Sequence, residues 1–143
     1  MAADFVTYDE IQVGDKASFS KTISESDVYQ FAGITGDFNE LHINQVAAEK
    51  SLFKSRVVHG CLADSLVSTV LGMKYPGKGT IFLEKSVSYL KPVYIGDTLT
   101  AELTVAEKRE RGRVLFDVSY YNQDGTEVIK GTALVLAPRN PQD

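Results

Sequence analysis

Within Gly36-Asp37-Phe38-Asn39-Glu40-Leu41-His42 the chain places a carboxylate, a carboxamide and an imidazole in six residues, using one of its two histidines. Groups of these types held together can orient a water molecule and take a proton from it, which is general acid–base chemistry. Asp37 and His42 stand five residues apart, a spacing that on one continuous helix turns their side chains roughly 140° apart. They converge only if the segment is a loop or irregular turn, and Gly36 and Asn39 favour one. Asn39 could orient either partner or hold the turn. The same residue types also form turns and cap helices, so the spacing leaves both uses open.

His59-Gly60, at the head of an apolar run, is the second feature. A helix N-terminus presents free N–H groups and partial positive charge, and glycine allows a ligand close to the backbone. A carbonyl oxygen docked there would be polarised, as in an oxyanion hole. Alternatively, Gly60 merely begins a tightly packed helix. Cys61 follows it, at a position where a thiol pKa can fall, although a lone cysteine is commonly buried core filler. Ser68, inside the same run, is expected to bond back to the preceding turn. Lys78, between two glycines, could meet a phosphate or be a solvated turn. Two histidines and one cysteine stand at no recognised zinc-ligand spacing. There is no Ser-His-Asp signature and no phosphate-cradling glycine loop.

The elements that must position these residues follow from patterning. Ser24 with Asp27 forms a capping box with Asp in place of Glu. It opens a short helix with Val28, Phe31 and Ala32 on one face, ended by Gly33 to Gly36. Ile43 to Ser51 reads as a short helix and Leu52 to Val58 as a loop. From about Gly60 to Lys74, Leu62, Leu66, Val67, Val70 and Leu71 make a broad apolar face with few charges, predicting a helix buried on most sides. Strands follow after Tyr75-Pro76-Gly77-Lys78-Gly79: Thr80 to Leu90, Thr98 to Ala106, Arg113 to Tyr121 and Glu127 to Leu136. Lys16 to Ile23 supplies an earlier one. Leu99, Ala101, Leu103 and Val105 alternate with polar residues, the period of a sheet with one buried face, and Asn122-Gln123-Asp124-Gly125 signals a hairpin. The expectation is an α+β domain over residues 1–143, with about five mostly antiparallel strands wrapped around one helix. Its open edges favour self-association.

The 143 residues suffice for one domain, 43% of them hydrophobic and 24% charged. A net charge of −4 argues against non-specific binding to nucleic acid or an anionic membrane surface. No apolar stretch reaches membrane-spanning length. Met1-Ala2-Ala3-Asp4 lacks the basic and apolar regions of a signal peptide. The single cysteine precludes an internal disulfide and suits a reducing, cytoplasmic compartment.

Taken together, Tyr29-Gln30-Phe31-Ala32, Gly36 to His42, Phe53 to Gly60, the helix ending at Leu71-Gly72, Pro76 to Gly79 and Lys91 to Leu99 resemble the MaoC-like family of (R)-specific enoyl-CoA hydratases. The match runs in order through nearly all of the chain. The resemblance implies a hot-dog fold, a curved antiparallel sheet around a long helix, and a homodimer with acyl-CoA near the subunit interface. It implies Asp37 and His42 as the catalytic pair and Gly60 as backbone donor to the thioester oxygen. Asn39 and Ser68 fall at supporting positions, Leu71 with Ser68 beside the acyl pocket, and Lys78 near the CoA phosphates. No metal or redox cofactor is implied, CoA being part of the substrate. The implied reaction is reversible addition of water to trans-2-enoyl-CoA, giving (3R)-hydroxyacyl-CoA for fatty-acid or polyester metabolism. A thioesterase on the same fold, or a non-catalytic acyl-CoA-binding module, is the alternative. One departure stands out: the family usually has proline where this chain has Glu40, an exchange expected to loosen the loop or add a charge near the site.

Overall fold

The computed structural model describes residues 4–141. Met1–Ala3, read above for a leader, and the last two residues of the expected domain lie outside them. In chain order the elements are β1 (Lys16–Thr22), α1 (Glu25–Thr35), α2 (Glu40–Ile43), α3 (Gln45–Glu49), α4 (Gly60–Asp64), α5 (Leu66–Thr69), a π-helical turn (Val70–Lys74), β2 (Ile81–Tyr89), β3 (Thr98–Lys108), β4 (Arg113–Tyr121) and β5 (Glu127–Leu136).

The strands form one sheet in the order β1-β3-β4-β5-β2, with every neighbouring pair antiparallel. Leu99, Ala101, Leu103 and Val105 of β3 are all buried, as their alternation predicts. So are Val114, Phe116, Val118 and Tyr120 of β4. These inward residues meet Ala63, Leu66, Val67, Val70 and Leu71 of the helical run in one continuous core, where apolar burial supplies the main stabilisation. Gly131 of β5 marks the closest approach in the sheet. A Cβ built there would lie 1.9 Å from the Ser86 carbonyl oxygen on β2.

The run from Gly60 to Lys74 departs from a uniform helix. Ser65, still right-handed, joins α4 to α5, and its hydroxyl donates to the Leu62 carbonyl at 2.6 Å. Ser65 thus makes the back-bond expected of Ser68, whose own side chain is exposed. Nor is the run buried on most sides, since Cys61, Ser68, Met73 and Lys74 are exposed. Cys61 is therefore not core filler.

The capping box is present. Ser24 Oγ accepts from the Asp27 amide at 3.1 Å, and Asp27 Oδ2 accepts from the Ser24 amide at 2.9 Å. These bonds, with Lys21 beside them, hold the Asp27 carboxyl below its ordinary pKa. Helix α1 runs through Gly33 and ends at Gly36, which takes the left-handed conformation with φ 84° that glycine tolerates best.

Candidate active site

The loop-or-turn expectation for Asp37 to His42 holds for its first half only. Asp37 lies in the loop after α1, whereas His42 rides on the single turn of α2. The join is made by stacked caps: the Asn39 amide donates to Asp37 Oδ1 at 3.1 Å, and Asn39 Oδ1 accepts from the Leu41 amide at 3.0 Å. Asn39 is thus the N-cap of the turn that carries His42. Glu40 follows as its first residue, exposed and favourably placed at the positive end of the turn. The position it occupies begins a helix rather than lying in a loop.

His42 is half-buried, and its Nδ1 lies 2.6 Å from the Val57 carbonyl oxygen. A carbonyl only accepts, so Nδ1 carries a proton and Nε2 is the ring nitrogen left for proton transfer. His59, 2% exposed, stacks on His42 with ring centroids 3.9 Å apart and planes 28° apart. Asp37, His42 and His59 each bring one oxygen or ring nitrogen within 4.8 Å of the others. Seventeen residues of separation hid His59 from a reading by spacing. Its ring also conflicts with a chelating role. Imidazole lone pairs lie in the ring plane, so two stacked rings aim theirs side by side rather than at one cation.

Gly60 begins α4 directly after His59. His59 makes no side-chain cap there, leaving the first N–H groups of the turn without a partner from the cap. Gly60 also lines a cavity of ≈ 590 Å³, walled by Val57, Val58, Ala63 and Ile129 and flanked by Cys61 and Tyr89. An apolar cavity with a few polar groups at its mouth suits an apolar ligand with one polar end. Tyr89 explains why residue 60 is glycine, since a Cβ there would fall 2.8 Å from Cε1 of the tyrosine ring.

Tyr89 is held by a group that the sequence reading passed over. Asp64, on the otherwise apolar run, is 1% exposed. Its carboxylate accepts from Lys85 Nζ and Tyr89 Oη, and its carbonyl from Tyr120 Oη. A carboxylate is rarely buried unless paired, and a lone acid among apolar helix residues was the available signal. Burial first, then the hydrogen bond and charge of Asp64, push the Tyr89 hydroxyl well above its ordinary pKa.

The structure gathers Asp37, His42 and Asn39, and joins them through His59 to Gly60. Asp37 and His42 are not among the cavity-lining residues of the single chain. Ser68 is exposed and does not line the cavity, and Leu71 lies in the core rather than on the cavity wall. Lys78 lies beyond the far end of the helical run, four residues after Lys74, with its ammonium 2.8 Å from Asp4 Oδ2.

This arrangement has close relatives. Residues 9–125 match the family model described as MaoC like domain. An (R)-specific enoyl-CoA hydratase of Rhodospirillum rubrum is 40% identical over 131 residues, covering 92% of this chain and 91% of that protein. The unliganded R-hydratase PhaJ1 of Pseudomonas aeruginosa superposes with a TM-score of 0.91 at 37% identity, over 95% of this chain and 88% of that one. The (R)-hydratase of Aeromonas caviae involved in PHA biosynthesis superposes with a TM-score of 0.86 at 38% identity, over 90% and 98%. The expected hot-dog fold is therefore the fold observed. With a family model spanning most of its length and relatives matched nearly end to end, the chain belongs to the MaoC-like family.

Proposed function

We propose that this protein is an (R)-specific enoyl-CoA hydratase, a hydro-lyase that adds water reversibly to trans-2-enoyl-CoA to give (3R)-hydroxyacyl-CoA. The observation that carries the reading is the gathering of Asp37 and His42, with His42 Nδ1 held by the Val57 carbonyl and Nε2 left for proton transfer. Its relatives bearing that activity in name support it.

In this scheme the thioester carbonyl accepts from Gly60 N–H, and the apolar cavity takes the apolar part of the substrate. The Asp37–His42 pair orients a water and removes its proton as oxygen bonds to C3. The C2–C3 π electrons shift toward C1, and the charge that collects on the thioester oxygen is stabilised at Gly60. A proton from the same pair then bonds to C2. The thioester itself activates the double bond, so the scheme needs neither metal nor redox cofactor. Asn39 supports the site by capping the His42 turn. Ser68, exposed on the helical run, keeps the supporting role that the family pattern implies, whereas Leu71, buried in the core, and Lys78, paired with Asp4, make no contact with the cavity of the single chain.

The same reading includes a homodimer. Every residue of β2 except Val87 is exposed, Ile81, Phe82, Leu83 and Tyr89 among them, and an uncovered apolar edge strand is a pairing template. A second copy would cover it and enclose the acyl-CoA.

Loss of enoyl-thioester absorbance on a graded series of enoyl-CoAs, with chiral analysis of product, tests the reaction. Asp37→Asn and His42→Ala should each lower kcat by about 10²-fold or more, the range for a lost general acid–base group. Wild-type turnover in both variants, or release of free CoA thiol instead of hydration, would sink the assignment.

A further inference from the structure

We propose that His59 is a positioning residue that sets both members of the Asp37–His42 pair and registers them against Gly60. The proposal rests on the hydratase reading for its catalytic consequence, but not for its structural one.

His59 is a poor choice for filling space. It is buried between the His42 ring and Phe31, whose centroid lies 4.8 Å away, yet its Nδ1 is buried with no hydrogen-bond partner among the described residues. A buried polar atom left without a partner is costly, and an apolar side chain of similar size would avoid that cost. The other ring nitrogen makes the difference. Nε2 lies 3.0 Å from the Asp37 carbonyl oxygen, to which it must donate.

That bond pins the peptide following Asp37, while the Asn39 amide pins its carboxylate. On the His42 side, Val57 holds one edge of the imidazole and the His59 ring backs its face. His59 thus holds both residues, Asp37 by its backbone carbonyl, with Thr35 and Asn39 as further partners, and His42 by its ring face, with Val57 at its edge. Its own backbone leads directly into Gly60. One side chain therefore ties the proton-transfer pair to the carbonyl donor across 22 residues, from Asp37 to the residue before Gly60. A misplacement of about 1 Å between such groups costs up to ~10²-fold in rate.

The test uses the full chain with three substitutions. His59→Leu removes both the ring face and the N–H, His59→Phe returns the face alone, and His59→Gln returns a donor alone. Only two histidines are present, so in each variant the single remaining imidazole spectrum belongs to His42. Its ¹⁵N pattern reports the tautomer without any substrate. In His59→Leu the His42 ring, no longer backed on its face, should turn away from the Val57 carbonyl that fixes its tautomer, so we expect loss of the pure Nδ1–H pattern and a kcat lower by about ten- to hundredfold. KM should stay within about threefold and the melting temperature be unchanged or raised, with part of kcat recovered in the Phe and Gln variants.

An unchanged His42 tautomer with kcat within twofold of wild type overturns the proposal. A fall in melting temperature that accounts for the lost activity, without a change at His42, overturns it equally. If His59→Leu does not fold, the Phe and Gln variants carry the same readings. If the natural chain shows no hydration, the hydratase reading fails, and the spectrum of His42 still decides the role of His59.

Discussion

Glu40 stands where the family pattern has proline, and its surroundings explain how the chain tolerates the exchange. Asn39 caps the turn, and residue 40 is its first helical position, the place where proline is most at home and where an acidic side chain also stabilises the helix end. Asn39 has φ −54° and ψ 131°, outside the α region that a following proline disfavours. Glu40→Pro should therefore fold, raise stability by about 0.5 kcal/mol, and leave kcat within twofold. Thermal melts and the hydration assay measure both, and a destabilised or inactive variant would contradict this account. At this scale the sequence was legible where chemistry is local. Asp37, Asn39 and His42 share six residues, and their joint use could be argued from type and spacing. His59 and Asp64 could not be placed in this way. One reaches the site through a stack and the other through a strand 21 residues onward at Lys85, contacts that exist only once the chain has closed.

At the scale of elements, patterning located all five strands because alternation on one buried face is a strong signal. It was less informative about the helical run. Its apolar residues announced a helix, but the change from α to π geometry at Val70–Lys74 reflects packing that no periodicity encodes. The turn carrying His42 was read as loop because a four-residue helix has no period to detect. Gly131 is a further case. A lone glycine inside a strand signals close backbone approach, and here β2 presses on β5 so closely that a methyl group would meet the Ser86 carbonyl. Gly131→Ala should cost about 3 kcal/mol by forcing the two strands apart, measurable by urea unfolding. A loss below about 0.5 kcal/mol would show that β2 can shift freely.

For the whole molecule, β2 is the element that carries the most consequence. It is an outer strand with apolar residues in the open, so, in the proposed dimer, Leu83→Glu should weaken self-association by tenfold or more by placing a charge in the pairing surface. Sedimentation equilibrium of the natural chain and the variant reads this directly, and identical behaviour of the two would remove β2 from the interface. The same strand sends Lys85 and Tyr89 inward to Asp64, and Tyr89 rests against Gly60. Whatever grips the outer edge of β2 therefore also grips the wall of the substrate cavity. Two equilibria joined through one rigid strand must share a coupling free energy, and such coupling is reciprocal. In the proposed dimer, a ligand that favours one setting of Tyr89 would tighten the association of subunits, and dilution that separates them would weaken the ligand by the same factor. Under the proposed function and dimer, the affinity for acyl-CoA would then vary with protein concentration, with β2 as the lever between the two.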